Sequence, residues 1–210
     1  MTQLANQLAK FFSHRSPAAV ARDLIGRRMS YHTPQGTLAG DIVEDEAYGG
    51  AHDSTSYAYR GRKTKTSRPL YGTPGTMYIY KIHARYVFGI VDQPKGQPSG
   101  IMIRAIEPVR GLKIMKQNRH QFGANLTNGP AKLIQALGIT DARYNLILCN
   151  RGPIQIDFHH KRPAIKVASS ARIGVSRGQN QNDRLRFYVK GNPYVSRMRK
   201  RDVLPNLGWR

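Results

Sequence analysis

The sequence predicts a single α+β domain with a largely antiparallel curved sheet, flanked by helices and extended by a protruding β-hairpin. Helical periodicity is confined to a few short segments, whereas alternating patterns typical of strands fill most of the middle and end of the chain. The βαβ alternation of a doubly wound fold is missing from the pattern. A chain of 210 residues, 40% of them hydrophobic, can bury one sizeable core. We therefore predict one domain over residues 1–210.

Two helices are predicted at the start of the chain. The segment 1–15 places four apolar side chains on one helical face: Leu4, Leu8, Phe11 and Phe12. The second helix begins after Ser16, a residue type that caps helices, and has Pro17 at its first position. Gly26 is expected to end it.

From residue 27 onward the pattern changes to the period of two that is typical of strands. A pair of strands is predicted over 27–32 and 37–47, and a hairpin over 77–82 and 86–91 with His83 and Arg85 at its tip. Further strands are predicted at 101–106, 145–149, 164–168 and 185–190. Two more helices are predicted over 108–119 and 130–137.

Two segments lack a regular pattern. Residues 49–75 are rich in Ser, Thr, Arg, Gly and Pro and are longer than a connection needs, which favours a functional loop. The tail, 197–210, opens with a basic run at 197–201 that is typical of a segment facing solvent or phosphate.

The charge of the chain indicates a polyanionic partner. Lysine and arginine number 34 against 12 acidic residues, giving a net charge of +22. The cations are spread along the chain, which favours a binding face on a folded domain. The sequence has no apolar stretch of roughly 18 residues that would favour a membrane. A nucleic acid is therefore the expected partner.

Cysteine usage indicates the compartment. Cys149 is the only cysteine, so an internal disulfide and a thiolate-rich zinc site are excluded. The first twelve residues lack the features of a secretory signal. We expect an intracellular protein, in the bacterial cytoplasm and nucleoid or in a nucleus.

Four of the acidic residues lie within residues 41–46, in a chain that has only three glutamates. On an unbroken strand Leu38, Ile42, Glu44, Glu46 and Tyr48 would share one face, so at least one carboxylate should look toward the apolar side or a pocket floor. A bulge near residue 45 would overturn this assignment. The alternative is that these acids only pair with the abundant arginines.

Tyrosines are numerous around this acidic segment, and tyrosines beside cations suit base stacking and cation–π contact. Each one alone is more often a packing residue, so the signal lies in their clustering. Seven of the eleven tyrosines fall into this group: Tyr48, Tyr57, Tyr59, Tyr71, Tyr78, Tyr80 and Tyr86.

No metal or cofactor motif stands out. His159 and His160 are adjacent and would face opposite ways on a strand, and no other spacing matches a ligand set. Two alternatives to a metal-free enzyme remain open. One is a basic nucleic-acid-binding module without turnover, and the other is a magnesium-dependent nuclease that uses Asp41, Glu44, Glu46 and Asp53.

Several long motifs resemble those of the alkyladenine (3-methyladenine) DNA glycosylases of the mammalian type, in the same order over about residues 20–196. They are IVEDEAY at 42–48, PLYGTPGTMYIY at 69–80, IRAIEPVRG at 103–111, NGPAKLIQALGI at 128–139, ARIGV at 171–175 and LRFYVKGNPYVS at 185–196. The resemblance implies a mixed α/β domain that extrudes a damaged purine from duplex DNA and hydrolyses its bond to the sugar. It implies no metal or organic cofactor.

The resemblance also implies roles for individual residues. Glu46 would activate water, and Arg104 would position that water or the carboxylate. Tyr48 and Tyr80 would sandwich the extruded base. His83 would enter the gap left in the duplex, where relatives often carry a tyrosine.

At two positions the chain departs from the pattern of the family. Tyr57 stands where the family leads us to expect a histidine that contacts the base. Ile90 stands where an asparagine abuts the purine. Both departures bear on the choice among 3-methyladenine, 7-methylguanine and hypoxanthine.

Basic side chains of the long loop and of the helix at 130 are expected to bind DNA phosphates. They are Arg60, Arg62, Lys63, Lys65, Arg68 and Lys132. The matched pocket motifs carry no lysine for attack on the sugar, so we expect a monofunctional enzyme without lyase activity. We also expect the protein to be a monomer.

Overall fold

One antiparallel sheet organises the molecule. The computed structural model describes residues 3–12, 15–175 and 178–210, without the side chains of residues 3–5 and 9. The strands of the sheet are β1 (Arg28–Thr33), β2 (Gly36–Tyr48), β3 (Met77–Ile82), β4 (Arg85–Ile90), β5 (Gly100–Arg110), β6 (Ile154–Asp157), β7 (Val167–Ser170) and β8 (Arg186–Val189). Their order is β3-β4-β5-β2-β1-β6, with β8 paired to β2 and β7 to β8. The α+β prediction is confirmed.

In the described residues, four α-helices accompany the sheet: α1 (Gln3–Phe12), α2 (Pro17–Leu24), α3 (Leu112–Arg119) and α4 (Pro130–Ala136). The hydroxyl of Ser16 accepts a hydrogen bond from the backbone N–H of Ala19 at 3.2 Å, so the predicted N-cap is confirmed. In α1, Leu8 and Phe12 are buried, while the side chain of Leu4 lies outside the described residues.

The helix predicted over 108–119 starts later in the structure, at Leu112. Residues 108–110 continue strand β5, where Pro108 lies opposite Gly40 of β2. Gly111 then adopts φ +76°, a left-handed conformation that only glycine takes up easily, and α3 follows from Leu112. The glycine, and not the proline, separates strand from helix.

The strand predicted over 145–149 is wrong. The segment still pairs with β3, because Leu146 donates its N–H to the carbonyl of Met77 and Met77 donates to Ile147. Leu146 has φ +69°, however, which interrupts the extended conformation. A short strand that the pattern did not reveal, β6, follows at Ile154–Asp157.

Two other predictions near the end of the chain need correction. The strand expected at 164–168 starts later, as β7. His159 and His160 do not lie on a strand; they follow β6, and their backbone N–H groups both donate to the carboxylate of Asp157. The strand expected near 185–190 is confirmed as β8.

Strand β2 is the centre of the sheet and carries the acidic segment. It pairs with β5 and β1, and over Glu44–Glu46 also with β8. Its register with β5 shifts between Ile42 and Glu44 and again between Glu44 and Asp45. Val43, at the first shift, and Ala47, past both, belong to the hydrophobic core, as Leu38 and Ile42 do before them. The predicted common face of Leu38, Ile42 and Glu46 is therefore wrong, although Glu46 is buried.

The end of the chain returns to the sheet. Arg197 and residues 199–202 are exposed, but Trp209 is buried, and its indole N–H donates to Glu107 at 2.8 Å. Ala164 and Trp209 also form an isolated antiparallel bridge. Within the described residues, no helix combines the length and the apolar character needed to cross a bilayer.

We expect Trp209→Ala to lower the free energy of unfolding by about 3–5 kcal/mol, because it empties a buried aromatic site. Trp209→Phe should cost about 1–3 kcal/mol, since it mainly leaves Glu107 without one donor. Urea denaturation would measure both. Lys200→Ser, in the exposed basic run, is the control and should change stability by no more than about 0.5 kcal/mol. An equal loss in the control would contradict the anchoring role of Trp209.

Candidate active site

A cavity of about 390 Å³ opens between β3, the end of β2 and the loop that follows β2. Four tyrosines line it: Tyr48, Tyr57, Tyr78 and Tyr80. Met102 of β5, His83 of the hairpin tip, and Gly174 and Val175 complete its main walls. A volume of this size suits a planar heterocycle of the size of a purine.

The rings of β3 form a stacked pair. Tyr78 and Tyr80 lie two residues apart on one strand face, with ring centres 4.1 Å apart and planes 14° from parallel. Tyr57 meets Tyr80 edge-on, with centres 5.6 Å apart. Tyr57 is 45% exposed, so it lies at the mouth of the cavity. Aromatic faces therefore dominate the surface offered to a ligand.

Glu46 lies directly behind this cavity and is fully buried. The hydroxyl of Tyr48 donates to Oε2 of Glu46 at 2.8 Å, and Nη1 of Arg104 lies 3.0 Å from the same oxygen. The backbone N–H of Ile173 donates to Oε1 at 2.7 Å. The structure thus brings together Glu46, Tyr48 and Arg104, which the sequence predicted as one site. Glu46 itself is not among the residues that line the cavity.

Burial and hydrogen bonding oppose each other at Glu46. Removal from water raises the pKa of Glu46 above 4.5, while Arg104, the Ile173 N–H and the Tyr48 hydroxyl act to lower it. Burial and the neighbouring Glu46 also raise the pKa of Tyr48 well above 10, so its phenol keeps the proton that it donates. A carboxylate with a raised pKa beside a cavity is the arrangement expected of a general base.

Arg104 is shared with a second buried glutamate. Its Nε donates to Glu44 at 2.8 Å, and Nε of Arg186 donates to the same oxygen at 2.7 Å. The backbone N–H of Ser196 donates to the other oxygen of Glu44. Burial opposes ionisation of Glu44, but the two arginines outweigh it, so its pKa lies below 4.5. Glu44 therefore holds Arg104 in place.

Arg172 packs against the ring of Tyr48 and is held by Asp53. The guanidinium of Arg172 lies 4.8 Å from the ring centre of Tyr48 and bonds both oxygens of Asp53, one of them at 2.5 Å. Arg172 also donates to the carbonyl of Ala47. Neither Arg172 nor Ile173 was predicted as a site residue. The motif at 171–175 was the signal available, but it did not reveal that a backbone N–H reaches Glu46.

The hairpin tip is shorter than the sequence suggested. Ile82 pairs with Arg85, so the turn consists of His83 and Ala84, with φ of +46° and +63°. Positive φ at both positions is typical of the type I′ turn. His83 is exposed and lines the cavity, whereas Arg85 lies on β4.

Ile90 is not part of the cavity. Its side chain is fully buried in the hydrophobic core, and its backbone pairs with Ile101 across β4 and β5. The prediction that the side chain at this position touches the base is therefore not supported by the geometry. A buried apolar residue on a central strand serves packing in preference to binding.

A lysine does line the cavity. Lys81 follows Tyr80, and its ammonium lies 4.9 Å from the ring centre of Tyr86. Lys81 falls just outside the matched motif, so the prediction of a monofunctional enzyme did not take it into account.

The predicted phosphate-binding side chains fall into two groups. Those of the loop after β2 are all exposed: Arg60, Arg62, Lys63, Lys65 and Arg68. Lys132 of α4 is half-buried and donates to the side chains of Asn125 and Asn128. Arg119 of α3 donates to the side chain of Gln135, which lies on α4 like Lys132. Each group is positive and open to solvent.

The carboxylates considered as magnesium ligands do not converge. Asp41 pairs with Arg28 and Arg162, Asp53 with Arg172, and the two glutamates with Arg104. In the described part of the chain, no three His, Cys, Asp or Glu side chains are grouped so that they could hold one metal ion.

Comparison with known proteins assigns the family. The family model described as methylpurine-DNA glycosylase (MPG) matches residues 10–193. The chain belongs to the methylpurine-DNA glycosylase family. The matched region contains Glu46 and Tyr48 together with Arg104, Arg172 and Ile173, which contact them.

Similar proteins from bacteria cover nearly the whole chain. A protein of Latilactobacillus sakei subsp. sakei (strain 23K) is 43% identical over 96% of this chain and 96% of its own length. One from Lactobacillus johnsonii is 39% identical over 95% and 98%. One from Listeria monocytogenes serovar 1/2a is 40% identical over 92% and 94%. All three bear the name "Putative 3-methyladenine DNA glycosylase".

Asp45 provides a test of the buried acidic segment. It is fully buried, neither of its oxygens has a hydrogen-bond partner among the described residues, and burial together with Glu44 and Glu46 raises its pKa well above 3.8. The folded protein therefore keeps a proton that the unfolded chain releases as the pH rises, and this lowers its stability.

We expect the stability of Asp45→Asn relative to the parent protein to increase as the pH rises above about 4, by up to about 1.4 kcal/mol per pH unit. Urea denaturation at several pH values would measure the trend. Asp202→Asn, which removes an exposed carboxylate with a lowered pKa, is the control and should not show it. A difference that stays constant with pH would contradict the burial of a protonated Asp45.

Proposed function

We propose that this family member is a DNA repair glycosylase that removes alkylated purines from duplex DNA. The observation that carries the proposal is Glu46, held by Arg104 and Tyr48 behind a cavity walled with tyrosines. In this proposal a purine extruded from the duplex enters the cavity and lies against Tyr48 and Tyr80. Glu46 takes a proton from water, which attacks the anomeric carbon as the bond to the base breaks.

Methylation at purine N3 or N7 gives the base a positive charge, so it leaves without help from an acid. The enzyme then needs selective binding more than strong catalysis. Stacking between electron-rich rings favours such a cationic base by about 0.5–2 kcal/mol per contact. Tyr57 at the cavity mouth adds a third phenol, in the place where the family pattern has a histidine.

The buried carboxylate needs a path for water. In the proposed mechanism water reaches Glu46 along Gly174 and Val175, which line the cavity next to Ile173. Arg104 keeps the carboxylate ionised and holds it toward the substrate, while Glu44 holds Arg104. Deprotonated Glu46 also stabilises positive charge on the sugar.

The fold suggests how the duplex is held. In the proposed complex His83 at the hairpin tip fills the space that the extruded nucleotide leaves, and the cations of the loop and of α4 bind phosphates. The proposal includes hydrolysis to an abasic site by water alone, with Lys81 at the cavity wall forming no bond to the sugar. Because the similar bacterial proteins are named for 3-methyladenine, this base is the first substrate to test.

Glu46→Gln should reduce base release by about 10²–10⁴-fold or more while DNA binding is kept, because the amide cannot accept the proton of water. The assay is chromatography of purines released from methylated DNA, with chelator present, alongside gel analysis of strand breaks. Asp202→Asn, an exposed carboxylate far in sequence from the site, is the matched control and should keep full activity.

The same assay separates the competing functions. A binding protein without turnover would release no purine and would be indifferent to Glu46→Gln. A magnesium-dependent nuclease would cut strands only without chelator and would release no free base. Either result would contradict the proposed hydrolysis.

Tyr48→Phe tests the hydrogen bond to Glu46 without removing the ring. The hydroxyl stabilises the ionised carboxylate, so its loss should raise the pKa of Glu46 further. In the parent enzyme the rate of base release should rise with pH as Glu46 ionises, through a pKa above 4.5. In the variant this rise, the acid limb of the pH profile, should occur at higher pH.

Tyr86→Phe, a tyrosine outside the cavity, is the control and should leave the pH profile unchanged. Loss of activity at all pH values in Tyr48→Phe, with no movement of the limb, would contradict the proposed coupling of the two side chains.

A further inference from the structure

A second cavity, of about 720 Å³, lies on the other side of the loop that borders the tyrosine cavity. Lys63, Lys65 and Arg68 line it together with Tyr71, Asn145 and Leu146. Leu70 lines the first cavity and Tyr71 the second, so adjacent residues separate them. Three cations and, among the described residues, no carboxylate line the second cavity, so the lining of this cavity is positively charged.

The basic side of this cavity is held by the loop's own hydrogen bonds. Ser67 is fully buried, and its hydroxyl accepts from the N–H of Thr64 and donates to the carbonyl of Arg62. The hydroxyl of Tyr71 also donates to Arg62, and the ammonium of Lys63 lies 4.9 Å from the Tyr71 ring centre. The backbone that carries the three cations is therefore shaped before any ligand arrives.

The opposite side of the cavity presents an exposed, strained leucine. Leu146 is 59% exposed and has φ +69°, a left-handed conformation that is unfavourable for a leucine. The backbone holds it there: Leu146 donates to Met77, and the side chain of Asn145 accepts from the N–H of Ile79. The structure thus keeps an apolar side chain in solvent at a conformational cost, facing three cations.

We propose that this cavity is a second DNA-contact site, which binds a backbone phosphate beside the extruded nucleotide while Leu146 packs on the adjoining sugar or base. A phosphodiester supplies the anion that the three cations lack, and a deoxyribose or base edge supplies an apolar surface for Leu146. Leu70 lines the first cavity and the adjacent Tyr71 lines the second, so the proposal places both along one DNA strand. The inference rests on the proposed function for the identity of the ligand.

Leu146→Gly tests whether the exposed side chain of Leu146 contributes to DNA binding. Glycine relieves the left-handed strain and removes a mostly exposed side chain, so the melting temperature should not fall. Affinity for an undamaged fluorescent duplex, measured by anisotropy, should fall about fivefold because glycine offers no apolar surface to the sugar or base. Unchanged affinity would overturn the role of Leu146.

The cations are tested by the dependence of binding on salt. Replacing Lys63, Lys65 and Arg68 together by serine should reduce the slope of log affinity against log salt by about 0.9 for each phosphate that the variant no longer neutralises. The matched control replaces three exposed cations near β7 and β8: Lys166, Arg184 and Lys190. An equal change in the control would overturn a local site and indicate diffuse charge attraction.

Base release by the parent protein distinguishes the two proposals. If the parent releases methylated purines but neither variant loses duplex affinity, the second site is wrong and the glycosylase proposal stands. If the parent releases no purine while both variants lose affinity, the DNA contact stands and the proposed chemistry fails.

Discussion

The pairing of buried acids with buried arginines on β2 is the interaction on which the rest of the structure depends. Glu44 and Glu46 are both fully buried and share Arg104, and Glu44 also binds Arg186. A buried charge without a partner costs several kcal/mol, so neither glutamate could stay ionised alone. The arrangement places the carboxylate of Glu46 next to the cavity lined by tyrosines. It also links β2, β5 and β8, which carry Glu44, Arg104 and Arg186.

Much of this site was visible in the sequence, because residue type and clustering carry information about chemistry. The density of acids at 41–46 indicated Glu46, and the clustering of tyrosines indicated aromatic side chains near it, while the resemblance to the family singled out Tyr48 and Tyr80. The family pattern added Arg104. The contact from the Ile173 N–H was not visible, since a backbone donor leaves no mark in residue type.

The errors of the fold prediction have a common cause, which is local backbone geometry that side-chain patterns do not encode. Two register shifts in β2 rearrange its faces although the alternating pattern continues through them. At 145–149 the residues favour a strand, but the positive φ of Leu146 breaks it. Ile90 is a separate case, because the family pattern and not the strand pattern placed it at the base, whereas its side chain is buried in the core.

The two-residue turn at His83 and Ala84 has a consequence for the search for damage. Both residues hold positive φ, and the flanking strands pair up to Ile82 and Arg85. Such a tip loses little conformational freedom when it meets the duplex, because folding has fixed its shape in advance. In the proposed function, a protein with such a tip would probe each intact base pair quickly and release it, without a slow rearrangement of its own at every step.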